Sequence, residues 1–257
     1  MSLDFTRRKL ITASLATAAG ATGLGAAAHY GSRLLWLPPD YASVQGAGET
    51  LTYSVQRLLT SNRSLAREFP VSMISKIAIV NGRAPKDDTY QRWLTNGFDG
   101  WQLRIEGQVE RPASFTLREL RQMPAESHTI LHACEQGWSF IAQWTGVRLS
   151  HLLELVQTRP NARHLVMIPV PNPQERTGIV RLFWDSIDMA DATHPQTLIA
   201  YGMNGGDLPP DHGAPVRLRM SRQLGYKNVK FLSRIVVTDN IEQFGVRGGP
   251  GTWYGGI

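Results

Sequence analysis

Polar and apolar residues alternate from Trp101 to Val109 (W-Q-L-R-I-E-G-Q-V), which puts Trp101, Leu103 and Ile105 on one face and predicts a half-buried strand. Leu149, Leu152, Leu153 and Val156 instead recur at i, i+3, i+4 and i+7, the spacing of a helix with one apolar stripe. T-L-R-E-L-R-Q-M-P reads as a short helix stopped by Pro124, whose ring cannot continue the hydrogen-bond ladder. H-L-V-M-I-P-V, T-L-I-A-Y, V-R-L-R-M and F-L-S-R-I-V-V read as further strands, and T-I-L-H-A-C as a strand running into a loop at Cys134. Residues 51–69 have helical texture, with Val55, Leu58, Leu59 and Leu65 near helical spacing, whereas the Pro/Gly/Asp-rich residues 70–100 predict irregular chain. Strands and short helices mix without regular alternation. The fold class is therefore α+β rather than a doubly wound sheet.

The N-terminus has a different character. M-S-L-D-F-T-R-R-K-L-I leads into an Ala/Gly/Thr-rich stretch that ends at Ala26-Ala27-Ala28. Adjacent Arg7 and Arg8 ahead of a weakly apolar, small-residue segment predict an export signal of the twin-arginine type over 1–28. The alternatives are an ordinary secretory signal and a membrane helix, but Ala, Gly and Thr would make insertion into a bilayer marginal. About 230 residues remain, enough for one domain with a substantial core. The expected organisation is a signal over 1–28, an N-terminal extension over 29–70 and one domain over 71–257, located in the periplasm and associated with the membrane there or free. Residues 1–28 carry Asp4, Arg7, Arg8 and Lys9, so the remainder keeps +4 of the formal +6 charge. Those charges are scattered, without a basic helix or an aromatic-interleaved stripe, which argues against nucleic acid as a partner. Arginine-rich chemistry suits anions with several oxygens.

Cys134 is the only cysteine. It cannot form an internal disulfide, so it is a buried apolar residue, a nucleophile or a single thiolate ligand. His132 would lie on the same side of a strand as Cys134, but side chains two apart stand side by side and leave little room for an attack site. One cysteine among scattered histidines also lacks zinc-ligand spacing. A second constellation spans Y-G-M-N-G-G-D-L-P-P-D-H-G-A-P-V-R-L-R-M and L-G-Y-K-N-V-K. Pro209 and Pro210 fix an extended approach, Gly213 permits a tight turn, and Arg217 starts a strand. Lys230 ends a second bend at Gly225. Backbone amides there, with Arg217 and Lys230, could cradle a phosphate, or the stretch is a structural turn before a core strand.

Together these stretches resemble one family. Cys134 through E-Q-G-W-S, then Trp144-Thr145-Gly146 and Leu149, is similar to the cysteine region of sulfite-oxidase-type molybdopterin-dependent oxidoreductases. H-P-Q-T-L-I-A-Y-G-M-N-G, L-P-P-D-H-G-A-P-V-R-L-R and G-Y-K-N-V-K resemble its pterin-binding half, and the likeness covers about residues 75–238. The nearer branch is the exported bacterial one that includes a periplasmic methionine-sulfoxide reductase catalytic subunit. The resemblance implies a sulfite-oxidase molybdopterin-binding fold with mixed sheets and a molybdenum-molybdopterin cofactor (Mo-MPT) with Cys134 as metal ligand. It also implies cofactor contacts at Asn81, Pro169, His212, Arg217, Asn228, Val229 and Lys230.

Several positions depart from the family pattern. Gln136 stands where relatives carry a carboxylate two residues after the cysteine, and a neutral amide cannot deliver a proton as a carboxylic acid does. Pro169 replaces a hydroxyl residue, and Leu131 and Ala133 flank His132 where polar residues are frequent. The chain ends at W-Y-G-G-I, which implies no C-terminal immunoglobulin-like domain and makes sulfite an unsuitable substrate. The expected function is two-electron redox chemistry with oxygen-atom transfer on a small-molecule or protein-sulfoxide substrate. Electrons would pass to or from a membrane haem protein or a cytochrome. The alternatives are a non-catalytic molybdopterin-binding or storage protein and an adhesin-like domain without cofactor.

The export reading makes a sharp prediction. Replacing Arg7 and Arg8 together by Lys preserves charge but removes the guanidinium pair. Precursor should accumulate in the cytoplasm on cell fractionation, whereas normal export of the double-lysine chain would reject the twin-arginine signal.

Overall fold

A computed structural model describes residues 64–170 and 184–241, together with Val55, Leu58 and Phe244. The proposed signal, the extension up to residue 63 (Val55 and Leu58 apart) and the C-terminal W-Y-G-G-I lie outside the described residues. The first sheet has the order β2-β1-β10-β5-β6, formed by β1 (Gln102–Gly107), β2 (Ala113–Thr116), β5 (His164–Pro169), β6 (Asp185–Asp188) and β10 (Leu232–Thr238). Only β1 and β10 run parallel, so this is a mixed sheet. The second sheet is antiparallel, with the order β3-β4-β7-β8 and β9 on the other part of β7. Its strands are β3 (Ala125–Ala133), β4 (Ser139–Arg148), β7 (Leu198–Met203), β8 (Gly206–Asp207) and β9 (Arg217–Arg219).

The predicted alternation of β1 is realised: Trp101, Leu103 and Ile105 are buried in the main core. That core also takes Val216, Leu218 and Met220 from one face of β9 and the apolar stripe Leu149, Leu152, Leu153 and Val156 of a helix over Leu149–Val156. A smaller cluster of Ile130, Phe140, Ala142, Trp144, Leu198 and Ala200 covers the other face of the second sheet. Helix Leu117–Gln122 begins with a reciprocal capping box between Thr116 and Glu119 and ends before Pro124. Among the described residues, no helix is long and apolar enough to cross a membrane.

Two expectations need correction. Residues 70–100 are not uniformly irregular: a 3-10 turn spans Val71–Met73 and an α-helix spans Asp88–Thr95. The carboxylate of Asp87 accepts from the amides of Thr89 and Tyr90, which caps that helix, and the buried Tyr90 hydroxyl donates to the Ala214 carbonyl at 2.8 Å. Capping and one long-range anchor offset the poor local pattern. Conversely, Ser64–Phe69 is not helical. Glu68 bridges to Ile130, the Phe69 amide donates to the Thr129 carbonyl, and Gln196 binds both the amide and the carbonyl of Ala66. The ten-residue strand β4, not among the strands expected from sequence, buries Phe140, Ala142 and Trp144 in alternation.

A buried ion pair fixes the bend between β9 and β10. Lys227 Nζ lies 2.5 Å from Asp185 Oδ1 and donates to the Ser186 carbonyl at 2.7 Å, tying the 3-10 turn Gly225–Lys227 to β6. Burial pushes the Asp185 carboxyl up, against the pull of Lys227. Lys227→Met should cost about 3–5 kcal/mol in denaturant unfolding, because it leaves a buried carboxylate without its cation. The double variant Lys227→Met/Asp185→Leu should recover most of that loss, whereas equal loss in both would show that the pair does not act as a unit.

Candidate functional site

Three separate stretches converge on one cleft of about 300 Å³. Its lining includes Ile79–Gly82, the end of β3 with the cysteine turn, and both bends around β9. Asn81, Cys134, His212, Arg217, Asn228, Val229 and Lys230, all singled out from sequence, line this cleft together. Pro169 does not. It ends β5 opposite Leu232 and is absent from the lining.

Cys134 follows β3 rather than lying within it. The Cys134 amide donates to the Trp138 carbonyl, and the Gly137 amide, at a φ of 87°, donates back to the Cys134 carbonyl at 3.0 Å. The tight turn sets the nearly buried thiol on the cleft wall, where Sγ donates to Glu135 Oε2 at 3.2 Å. Burial pushes the thiol up, while the backbone amides of Gln136 and Glu135 favour the thiolate. Sequence reasoning missed Glu135. It weighed the neutral Gln136 two residues along, whereas the carboxylate next to the cysteine is the one that touches sulfur. Gln136 is exposed, and its Oε1 accepts from Trp138 Nε1 at 3.0 Å.

Alternation along β9 separates chemistry from core. Leu218 faces the main core, while Arg217 and Arg219 turn towards Trp144, their guanidinium carbons 4.9 and 5.5 Å from its ring centroid. Both arginines are buried, and burial pulls each down to about 9. Arg217 donates to the carbonyls of His212 and Asn228, each at 2.9 Å. Arg219 reaches the Leu131 carbonyl at 2.8 Å, the Asn228 amide oxygen at 3.1 Å and the Met220 carbonyl. Among the described residues, neither guanidinium is within ion-pair range of a carboxylate. Arg217 lines the cleft and Arg219, whose Nε has no partner among the described residues, is buried behind it, so two cations bonded only to neutral groups make this wall electropositive at a desolvation cost of several kcal/mol per ion. Arg219, two residues after Arg217, shares its face of the strand and supports the wall without lining the cleft.

Lys230, expected to contact the cofactor, lines the cleft and also staples the protein. Its Nζ donates to the carbonyls of Asn81, Gly82 and Asp211, each at 2.8 Å. Burial lowers it to about 8. Gly213, at a φ of 114°, makes room for this contact: a Cβ there would lie 2.9 Å from that of Lys230. The Asn228 side chain is also used internally, accepting from the Met220 amide and donating to the Leu224 carbonyl. His212 is held neutral down to about 4, chiefly by burial and then by Arg217. His132 is displaced in the same direction by burial and by Arg219. Among the described residues, no group of three or more His, Cys, Asp or Glu is arranged to hold a metal. A metal beside Cys134 would therefore bring most of its ligands with it.

Residues 92–244 match the family model described as oxidoreductase molybdopterin-binding domain. The chain is 31% identical over 186 residues to the putative protein-methionine-sulfoxide reductase subunit YedZ1 of Azospira oryzae, which covers 72% of this chain and 66% of that protein. The sulfane dehydrogenase SoxCD of Paracoccus pantotrophus superposes with a TM-score of 0.48 at 24% identity, over 55% of this chain and 39% of that one.

The internal partners of Arg217 define its test. Arg217→Ala leaves the His212 and Asn228 carbonyls unmatched at a buried bend and should cost about 2–3 kcal/mol in denaturant unfolding. Lys230→Ala, at a more open site, should cost about 1 kcal/mol. An Arg217→Ala chain as stable as wild type would show that the two carbonyls do not depend on the guanidinium.

Proposed function

The chain belongs to the family of oxidoreductases with a molybdopterin-binding domain, and on that premise we propose that it is an exported enzyme acting by oxygen-atom transfer on a sulfoxide- or N-oxide-like substrate. The observation that carries this reading is the convergence of Cys134 with the cations Arg217 and Lys230 at one cleft, backed by the buried Arg219 on the same strand as Arg217. The donor set suits the group. A dithiolene-bearing, phosphorylated pterin is anionic, and it would supply the negative charge that the two buried guanidiniums lack. Cys134 would hold molybdenum as a thiolate, and loss of its proton on coordination removes the cost of burying a free thiolate. When bound, the cofactor would supply a metal able to exchange two electrons between the +4 and +6 states, the chemistry that oxygen-atom transfer needs.

The chain's own residues have supporting parts. Asn81, Val229, Lys230 and the backbone around Asn228 would bound the pterin, with Lys230 holding the Asn81–Gly82 strap against the Asp211 bend. Glu135 accepts from Cys134 Sγ and offers a carboxylate near the metal ligand in place of the one that Gln136 lacks. Removing oxygen from a sulfoxide consumes two electrons and two protons and yields a sulfide and water. The electrons would come from a partner such as a membrane haem protein or a periplasmic cytochrome. The A. oryzae relative's description as a methionine-sulfoxide reductase subunit supports the substrate class.

Cys134→Ser tests the assignment. Changing groups that merely support a metal ligand commonly costs 10–100-fold, so replacing the ligand itself should lower sulfoxide and N-oxide reduction by reduced viologen by at least about 100-fold. Folding and melting temperature should stay near wild type. Undiminished turnover would reject Cys134 as the ligand, and a wild-type chain that holds molybdenum but reduces none of these compounds would favour the non-catalytic carrier.

A further inference from the structure

Residues 71–86 form a strap that the fold fastens at several points yet leaves apolar on its open side. Just before it, the Phe69 amide donates to the Thr129 carbonyl. Within it, the Ser75 amide donates to the Ile141 carbonyl and the Ile141 amide to the Ser75 hydroxyl, each at 2.9 Å, and the Ala84 amide donates to Asp211 at 2.9 Å. Lys230 holds Asn81 and Gly82, and Ala78 packs on the smaller apolar cluster. Val71, Met73, Ile77, Ile79 and Val80 are nevertheless exposed, Ile77 to 76%. They are five of the ten large apolar residues exposed among the described residues, and they fall within one stretch of ten, whereas singly scattered ones are ordinary. The charge of the strap has one sign. Lys76, Arg83 and Lys86 are exposed, and no Asp or Glu stands between Glu68 and Asp87. Asp211 meets Arg83 at 3.3 Å, an exposed pair that leaves Lys76 and Lys86 to set the outward charge. Ile79, Val80, Asn81 and Gly82 also line the cleft, so the exposed side of the strap adjoins the cleft that holds Cys134.

We propose that this strap is the docking surface for the electron donor, a one-electron redox protein whose apolar contact is ringed by acidic residues. The inference rests on the proposed function above, which needs such a donor. The donor gives up two electrons, one at a time, and is oxidised. The sulfoxide takes them with two protons, and its S–O bond breaks to leave a sulfide and water. Docking at the strap brings the donor to the edge of the cleft where those electrons are used. The apolar side chains supply the centre of a contact, and the cations steer an acidic partner towards it, which raises encounter rate and selects the partner by charge. Two other occupants fit less well. A second copy of the chain would set cations against cations. A surface that lies on lipid carries Trp, Tyr or Phe at the interface, and the five exposed side chains here are Val, Ile and Met.

The test drives the purified, cofactor-loaded full-length enzyme with two reductants. Reduced methyl viologen needs no docking surface. Membranes and periplasm of the source organism, lacking this enzyme and energised with NADH, supply the native donor. Lys76→Glu/Lys86→Glu and Ile77→Ser alter side chains outside the cleft lining, so viologen-driven reduction of methyl phenyl sulfoxide should stay near wild type. Native-donor turnover should fall about tenfold in each variant, as loss of steering or of a central contact does, and wild-type turnover should drop with added salt. Unchanged native-donor turnover in both variants overturns the docking surface. So does a wild type that viologen drives and the native fraction does not. An equal fall with both reductants overturns it too, by making the strap a support of the cleft. If the loss instead tracks lost sedimentation with phosphatidylglycerol vesicles, the occupant is lipid; if Ile77→Ser dissociates a wild-type dimer, it is a second copy; either result overturns the donor. Viologen turnover in the wild type upholds the underlying function whatever the strap does, and its absence overturns both.

Discussion

Two buried guanidiniums on one short strand organise this structure. Arg217 and Arg219 lie over Trp144 and bind only neutral acceptors, drawn from β3, the His212 turn and the Asn228 bend. Arg217 satisfies the His212 and Asn228 carbonyls at two turns, and Arg219 ties β3 to the Asn228 side chain, so the arginines join the walls of the cleft while Arg217 contributes its charge. Replacing either with an aliphatic residue would remove a cation and unfasten two loops at once. Charged hydrogen bonds are about twice as strong as neutral ones, which suits a site whose walls come from distant parts of the chain.

The same division of labour recurs at Lys230. A residue whose charge faces the cleft commits its three donors to carbonyls from Asn81, Gly82 and Asp211. The positive potential survives this arrangement because carbonyls orient dipoles without neutralising charge. A site built this way attracts an anion through its field while keeping its own geometry before the anion arrives. That is the preorganisation that makes electrostatics effective in a partly dry cleft.

Around the sulfur the balance is different. Glu135 and a buried thiol disfavour a free thiolate, while two backbone amides favour it. Such a thiol is quiet until a cation replaces its proton, a property better suited to holding a metal than to attacking a substrate. The turn closed by Gly137 separates Cys134 from His132 despite their spacing of two: the histidine ends within a strand and packs into an aromatic cage, and the cysteine leaves the strand for the rim.

Sequence by itself determined strands β1, β3, β5, β7, β9 and β10, the apolar stripe of Leu149, Leu152, Leu153 and Val156, and the α+β class, because these depend on the period of burial along a continuous stretch, while β2, β4, β6 and β8 emerged only in the fold. It also singled out Cys134, Arg217 and Lys230, which the structure brings to one cleft, although their roles were implied by the resemblance rather than by local pattern. It did not reveal that Arg219 packs on Trp144 beside Arg217, that Glu135 rather than Gln136 meets the sulfur, that Pro169 lies off the lining, or that Lys230 spends its donors on the protein. The helix over Asp88–Thr95 was hidden for the same reason, being secured by Tyr90 reaching Ala214 across 124 residues. Only the tertiary structure decided these points. A side chain's partner is chosen by which distant backbone atoms the packed sheets bring within about 3 Å, and no local pattern encodes that distance.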